Sequence, residues 1–79
     1  MKTFDQYTEE ERNAILMFFK KRRTFQEACA FFNTGKKEAR DIMDALMDDH
    51  TITGIIETHS DIHGYYFYVL KYTLNTEAE

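Results

Sequence analysis

Seven cationic side chains fall between residues 20 and 40: Lys20, Lys21, Arg22 and Arg23 in one run, then Lys36, Lys37 and Arg40. Only Glu27 and Glu38 oppose them, so this stretch carries +5. The three cations and twelve acids elsewhere carry −9 and bring the chain to −4. The chemistry open to such a zone is phosphate binding. Lysine and arginine displace the counterions of a nucleic-acid backbone, and arginine can also read guanine in the major groove. A solvated helix end and turn would account for the same charges without any partner.

His59, Ser60, Asp61 and His63 form a second constellation, with ligand-type side chains at i, i+2 and i+4. In an extended segment these share a side and could approach a divalent metal such as zinc. No third strong ligand lies nearby, and turns attract Asp and His for backbone reasons, so neither a metal nor a cofactor is expected. The two histidines could instead raise phosphate affinity below about pH 6.5. Cys29, the single cysteine, reads as a small apolar side chain rather than a nucleophile, since no histidine or acid is placed to activate it. No Gly-rich phosphate loop, carboxylate pair or Ser/His/Asp arrangement occurs, and no enzymatic activity is expected.

These groups need elements to hold them. Thr8-Glu9-Glu10-Glu11 has the form of a capping box and predicts a helix to about Lys21, with Ile15, Leu16 and Phe19 inward. Thr24-Phe25-Gln26-Glu27 repeats that chemistry and predicts a second helix, its inward stripe Phe25, Ala28, Cys29 and Phe32. After Asn33, Thr34 and Gly35 a third helix follows to about Asp49, capped by Thr34 or Gly35. Its apolar stripe is Ala39, Ile42, Met43 and Leu46. From Ile52 the period changes to two. Residues 53–59 and 65–72 predict strands of a hairpin around the turn-rich residues 60–64. Residues 73–79 read as an acidic flexible tail and residues 1–7 as an N-terminal extension. With 43% hydrophobic residues among 79, the chain suffices for one small core. Its longest apolar run, residues 14–19, is too short to cross a bilayer, and no charged-then-apolar leader is seen. A soluble, cytoplasmic protein without membrane contact is the expectation.

Helix, helix, tight turn, helix and hairpin, in that order over residues 8–72, resemble the winged helix-turn-helix family. The resemblance is carried by the capped ILMFF helix, by TFQEACAFFN, and by KKEARDIMDALMDDHTITGIIE running into a hairpin that ends GYYFYVL. It implies an α+β fold of three helices followed by a β-hairpin wing in a small antiparallel sheet, with a short strand at residues 22–24. It also implies a small, non-enzymatic binder of double-stranded DNA, a transcriptional regulator. Thr34, Lys36, Lys37 and Arg40 would then enter the groove. Thr24, His59, Ser60 and His63 would touch phosphates, and Lys20, Lys21, Arg22 and Arg23 would steady the complex.

Two features of the residues point elsewhere. Opposite the apolar stripe of the third helix lie Lys37, Asp41, Asp44 and Asp48, mainly acidic beyond the first turn. No lysine or arginine occurs between Thr53 and Gly64. A protein-interaction module is therefore the alternative: an adaptor, or an inhibitor of a DNA-binding protein or polymerase. It would offer Asp41, Asp44, Asp48 and Asp49 and the aromatic hairpin. There is also an apolar surplus. Met17, Phe18, Phe31 and Met47 fall beside their core stripes. The second strand is apolar on both sides, with Tyr65, Phe67 and Val69 on one and Tyr66, Tyr68 and Leu70 on the other. A small sheet buries one face only. Met17, Phe18, Phe31, Tyr66, Tyr68 and Leu70 are thus expected at an interface, most simply of a homodimer, unless Phe4, Tyr7 and Leu74 fold over them.

Overall fold

The computed structural model describes residues 2–75. A single 3-10 turn, Phe4–Gln6, precedes helices α1 (Glu9–Phe19), α2 (Phe25–Phe32) and α3 (Lys36–Asp48). Strands β1 (Ile52–Ser60) and β2 (Tyr66–Leu74) complete the order. Three helices followed by an antiparallel hairpin make an α+β fold with the winged helix-turn-helix layout.

Both expected capping boxes form. Thr8 Oγ1 accepts the Glu11 amide at 3.1 Å, and the Glu11 carboxylate accepts the Thr8 amide at 2.9 Å. Thr24 and Glu27 do the same at 3.2 and 2.9 Å. Each exchange satisfies two amides that helix geometry leaves without partners. α1 stops at Phe19 rather than near Lys21. Its terminal carbonyls are taken by distant side chains: Arg23 Nε donates to Phe18 O at 2.9 Å, and the Thr73 hydroxyl to Phe19 O at 3.2 Å. The chain then passes through the expected strand position as one bridge. Arg23 and Tyr72 exchange both backbone hydrogen bonds, at 2.8 and 2.7 Å.

The core lies where the three helices meet the base of the hairpin. Ile15, Phe19, Ala28, Met43, Leu46, Ile52 and Tyr72 form it. Phe19, Met43, Leu46 and Ile52 are its largest fully buried side chains, and each contributes roughly 1.5–3 kcal/mol of burial. Leu46→Ala should therefore cost about 2–5 kcal/mol. Leu16, expected inward, lies at the rim and is 38% exposed. In α2 only Ala28 is buried fully, while Phe25, Cys29 and Phe32 are half-buried.

The hairpin pairs without a bulge from Ile52↔Leu74 to Ser60↔Tyr66. At its tip the Asp61 carboxylate accepts the amides of His63 and Tyr65, at 2.8 and 3.0 Å. Gly64 there has φ +85°, which a residue with a Cβ adopts only under strain. At the base, the Asn75 amide donates to Thr51 O at 3.0 Å, so the ladder runs beyond residue 72. Residues 73–75, read from sequence as tail, belong to the sheet and its closure; the remaining tail positions, 76–79, lie outside the described residues. The extension at the other end is also packed. Phe4, Tyr7 and Leu74 lie against the core, not over the hairpin. The Phe4 amide donates to Asp49 Oδ2 at 2.6 Å, and Arg12 donates to Tyr7 O at 2.7 Å.

Candidate nucleic-acid interface

The turn between α2 and α3 is built by three residues of different kinds. Asn33 takes the left-handed conformation (φ 54°, ψ 46°), and its amide closes on Ala30 O at 3.2 Å. Asparagine tolerates this region better than other residues with a Cβ. Thr34 bonds locally to Gly35 O at 3.2 Å. Gly35 is the N-cap of α3 and has no side chain with which to cap it. The amides of Lys36, Lys37 and Glu38 consequently meet no acceptor among the described residues. This helix start is open, and a helix start favours anions.

Around it stand exposed cations. Buried Ala39, Met43 and Leu46 fix the rotation of α3, which leaves Lys36, Lys37 and Arg40 on the outside. The Arg40 guanidinium lies 4.6 Å from the centre of the Phe25 ring, tying the second turn of α3 to the first of α2. Lys36 and Lys37 form no ion pair with any described residue. The two helix starts and β2 enclose a groove of about 540 Å³, lined by Thr24, Gln26, Thr34, Lys36, Val69 and Leu70 among others. Of the residues expected to touch nucleic acid, the fold thus gathers Thr24, Thr34 and Lys36 on one groove, with Arg40 beside it. Thr24 itself is committed: its amide and hydroxyl both bond Glu27. The Glu27 carboxyl is held below its ordinary pKa, first by the Thr24 amide.

The corner between α1 and α2 is different. Arg23 donates to Phe18 O, lies 4.6 Å from the Phe18 ring centre and reaches Glu27 at 3.5 Å. Arg22 pairs with Glu57 on β1 at 2.9 Å. The same carboxylate takes Lys71 at 2.9 Å and His59 at 3.0 Å. Arg22, then Lys71 and His59, pull the Glu57 pKa from 4.5 to about 2. Arg22 and Arg23 therefore brace the sheet against the helices, and only Lys20 and Lys21 of that run stay exposed without an ion pair to a described residue. His59 also stacks on Phe67, with centroids 5.6 Å apart. Ser60 and His63 are exposed at the tip, roughly 25 Å along the strand from the core.

The acids are also sorted. Asp41 and Asp48 are exposed on α3, and Asp44 is half-buried. Asp49 is not available to a partner. Its carboxylate accepts the Phe4 amide, the Thr51 amide at 3.0 Å and the Thr51 hydroxyl at 2.6 Å. Sequence reasoning missed this role, although Asp49-His50-Thr51 has the spacing of a side-chain turn. It also missed Glu57, whose partners come from two other segments. Phe18 and Phe31, expected at an interface, stack on each other at 4.1 Å and pack on the core. Met17 is 70% exposed.

No family model matches the chain, and no curated protein or solved structure matches it significantly. No helix among the described residues is long and apolar enough to cross a membrane.

Proposed function

We propose that this protein binds double-stranded DNA, without enzymatic activity, by setting the start of α3 into the major groove, and that it acts as a transcriptional regulator. The observation that carries the reading is the uncapped helix start flanked by Lys36, Lys37 and Arg40. Three exposed cations stand within two turns of the open amides, with no ion pair between the two lysines and any described residue. A helix is about 10–12 Å across, and the major groove is about 12 Å wide. Arg40, one turn in, can reach guanine or phosphate, and its Phe25 platform limits the freedom lost on binding. Asp44 and Asp48 lie further along α3, while Glu38 and Asp41 are exposed within its first two turns, so the helix enters only by its tip.

Three neutralised phosphates per copy imply that log affinity falls with log salt at a slope of about −2.7. A salt titration of binding to random duplex DNA, read by fluorescence anisotropy, checks this. Absence of binding at about 50 mM salt would remove the proposal. One observation favours a second reading: the exposed Asp41 and Asp48, with the half-buried Asp44 between them, form an acidic flank on α3. It suits a basic protein surface, such as that of a DNA-binding protein or polymerase. That reading expects no DNA shift, and loss of partner capture on Asp44→Lys.

A further inference from the structure

The ladder register sorts the hairpin into two unlike faces. On one, Glu57, His59 and Lys71 form the charged cluster that takes Arg22. The other presents Ile52, Gly54, Ile56, Thr58 and Ser60 of β1 against Leu74, Tyr72, Leu70, Tyr68 and Tyr66 of β2, ten positions without a charge. Its base is buried at Ile52 and Tyr72. Beyond the helices it stands bare: Tyr66 is 77% exposed, Tyr68 74%, Ile56 69% and Leu70 51%.

We propose that this face seats a second copy of the chain, related by a two-fold axis. The absence of charge selects the occupant. A phosphate backbone would leave the face without a cation to meet it, and a strongly charged protein would find no counter-charge. A copy of the same face meets no like charge, although each chain carries −4 overall. The area agrees. Two tyrosines and two aliphatic side chains, exposed as they are, present on the order of 400–500 Å² per copy. Pairing then removes about 800–1,000 Å² before Gly54, Thr58 and Ser60 are counted, below the roughly 1,200 Å² at which stable interfaces begin and in the range of weak, transient association. The helices occupy the base of this face, so the second hairpin enters from the tip and runs in the opposite direction. Tyr68, midway between Tyr66 and Leu70, lies at the axis. The inference does not rest on DNA binding, although the two surfaces share Leu70, which also lines the groove beside Lys36.

Sedimentation equilibrium of the full chain from about 1 to about 300 µM tests it. The expected result is a monomer–dimer equilibrium with Kd roughly 10–100 µM. Tyr68→Asp and Ile56→Asp each weaken it by about tenfold or more. Phe67→Asp, on the charged face, leaves it within about twofold. Thermal unfolding of each variant separates lost association from lost folding, and two disruptive positions guard against one that fails to fold. Arg40→Glu should still dimerise. A strict monomer at the highest concentration, or equal disruption by Phe67→Asp, overturns the assignment. Flotation with lipid vesicles in place of self-association would give the face to a membrane surface and overturn it too.

Discussion

The two basic clusters of this protein hold arginines and lysines in similar number but in opposite surroundings. At the α1–α2 corner, the guanidinium of Arg23 meets a helix-end carbonyl, an aromatic face and Glu27, while Arg22 meets Glu57. At the start of α3, Lys36 and Lys37 are exposed and form no ion pair with a described residue. Helix polarity accounts for part of the difference; Lys20 and Lys21, at the same carboxyl end, stay exposed without an ion pair to a described residue. A carboxyl end offers carbonyls and draws cations inward as structure. An amino end offers amides, repels them outward and leaves them for an external anion. Cations that look alike in sequence thus divide into Arg22 and Arg23, engaged by the fold, and Lys36 and Lys37, left exposed without an ion pair to a described residue.

The comparison breaks most visibly under charge reversal. Lys37→Glu combined with Arg40→Glu should reduce duplex affinity by about 100-fold or more at low salt, with the unfolding midpoint almost unchanged. Anisotropy and thermal melts on the same sample read both. Arg23→Ala should do the converse. Losing its bond to Phe18 O and its ring contact costs about 1–2 kcal/mol, or roughly 5–10 °C, with DNA affinity within about twofold. If Arg23→Ala instead destroys binding without altering the melt, the corner is a binding element and the distinction fails.

Gly35→Asp sharpens the contrast at one atom. A Cβ there meets nothing within 4 Å, and the backbone is extended at φ −70°. The new carboxylate should cap α3 and add a few tenths of a kcal/mol of stability. It should also weaken DNA binding several-fold if the start of α3 holds a phosphate as proposed, because the carboxylate would take that position. Stability rising while affinity falls is the expected pair of outcomes. The smallest effect concerns Glu57. Its folded-state pKa of about 2 lies below its ordinary 4.5, so its contribution is present above that value and lost as pH falls toward 2. Glu11 and Glu27, also lowered by their capping bonds, act in the same direction. Acid melts of Glu57→Gln should show a shallower decline between pH 4.5 and 2 than the parent chain. An identical slope would mean that the ion pairs of Glu57 are fully screened.

What the residues revealed and what they hid divides by sequence separation. The two capping boxes, the tight turn at Asn33 and the alternation of the strands are local, and each was legible. The bridge at Arg23 was legible as a position but not as a partner. The long-range economy was hidden. Phe4 and Asp49 are 45 residues apart and Arg22 and Glu57 are 35 apart, distances over which periodicity carries no information. That is why the sequence pattern offers Asp49 to a protein partner and Arg22 and Arg23 to steadying a DNA complex, whereas the fold engages Asp49 with Phe4 and Thr51, Arg22 with Glu57 and Arg23 with Phe18 and Glu27. The strand ends shifted for the same reason, since Thr51 and Asn75 close the ladder from outside it. The start of α3, with Lys36, Lys37 and Arg40 exposed around it, is legible because cap, charge and stripe all lie within a few positions.

The bond from Phe4 to Asp49 has a practical bearing on where the cooperative unit begins. A fragment starting at Thr8 would carry every element that sequence patterning delimits. Yet it would strip two rings from the hydrophobic floor and leave a carboxylate at the end of α3 short of one donor. Truncation at that apparent boundary should yield a softer molecule than the intact chain, and amide exchange at the α3–β1 junction should be the first place to report it.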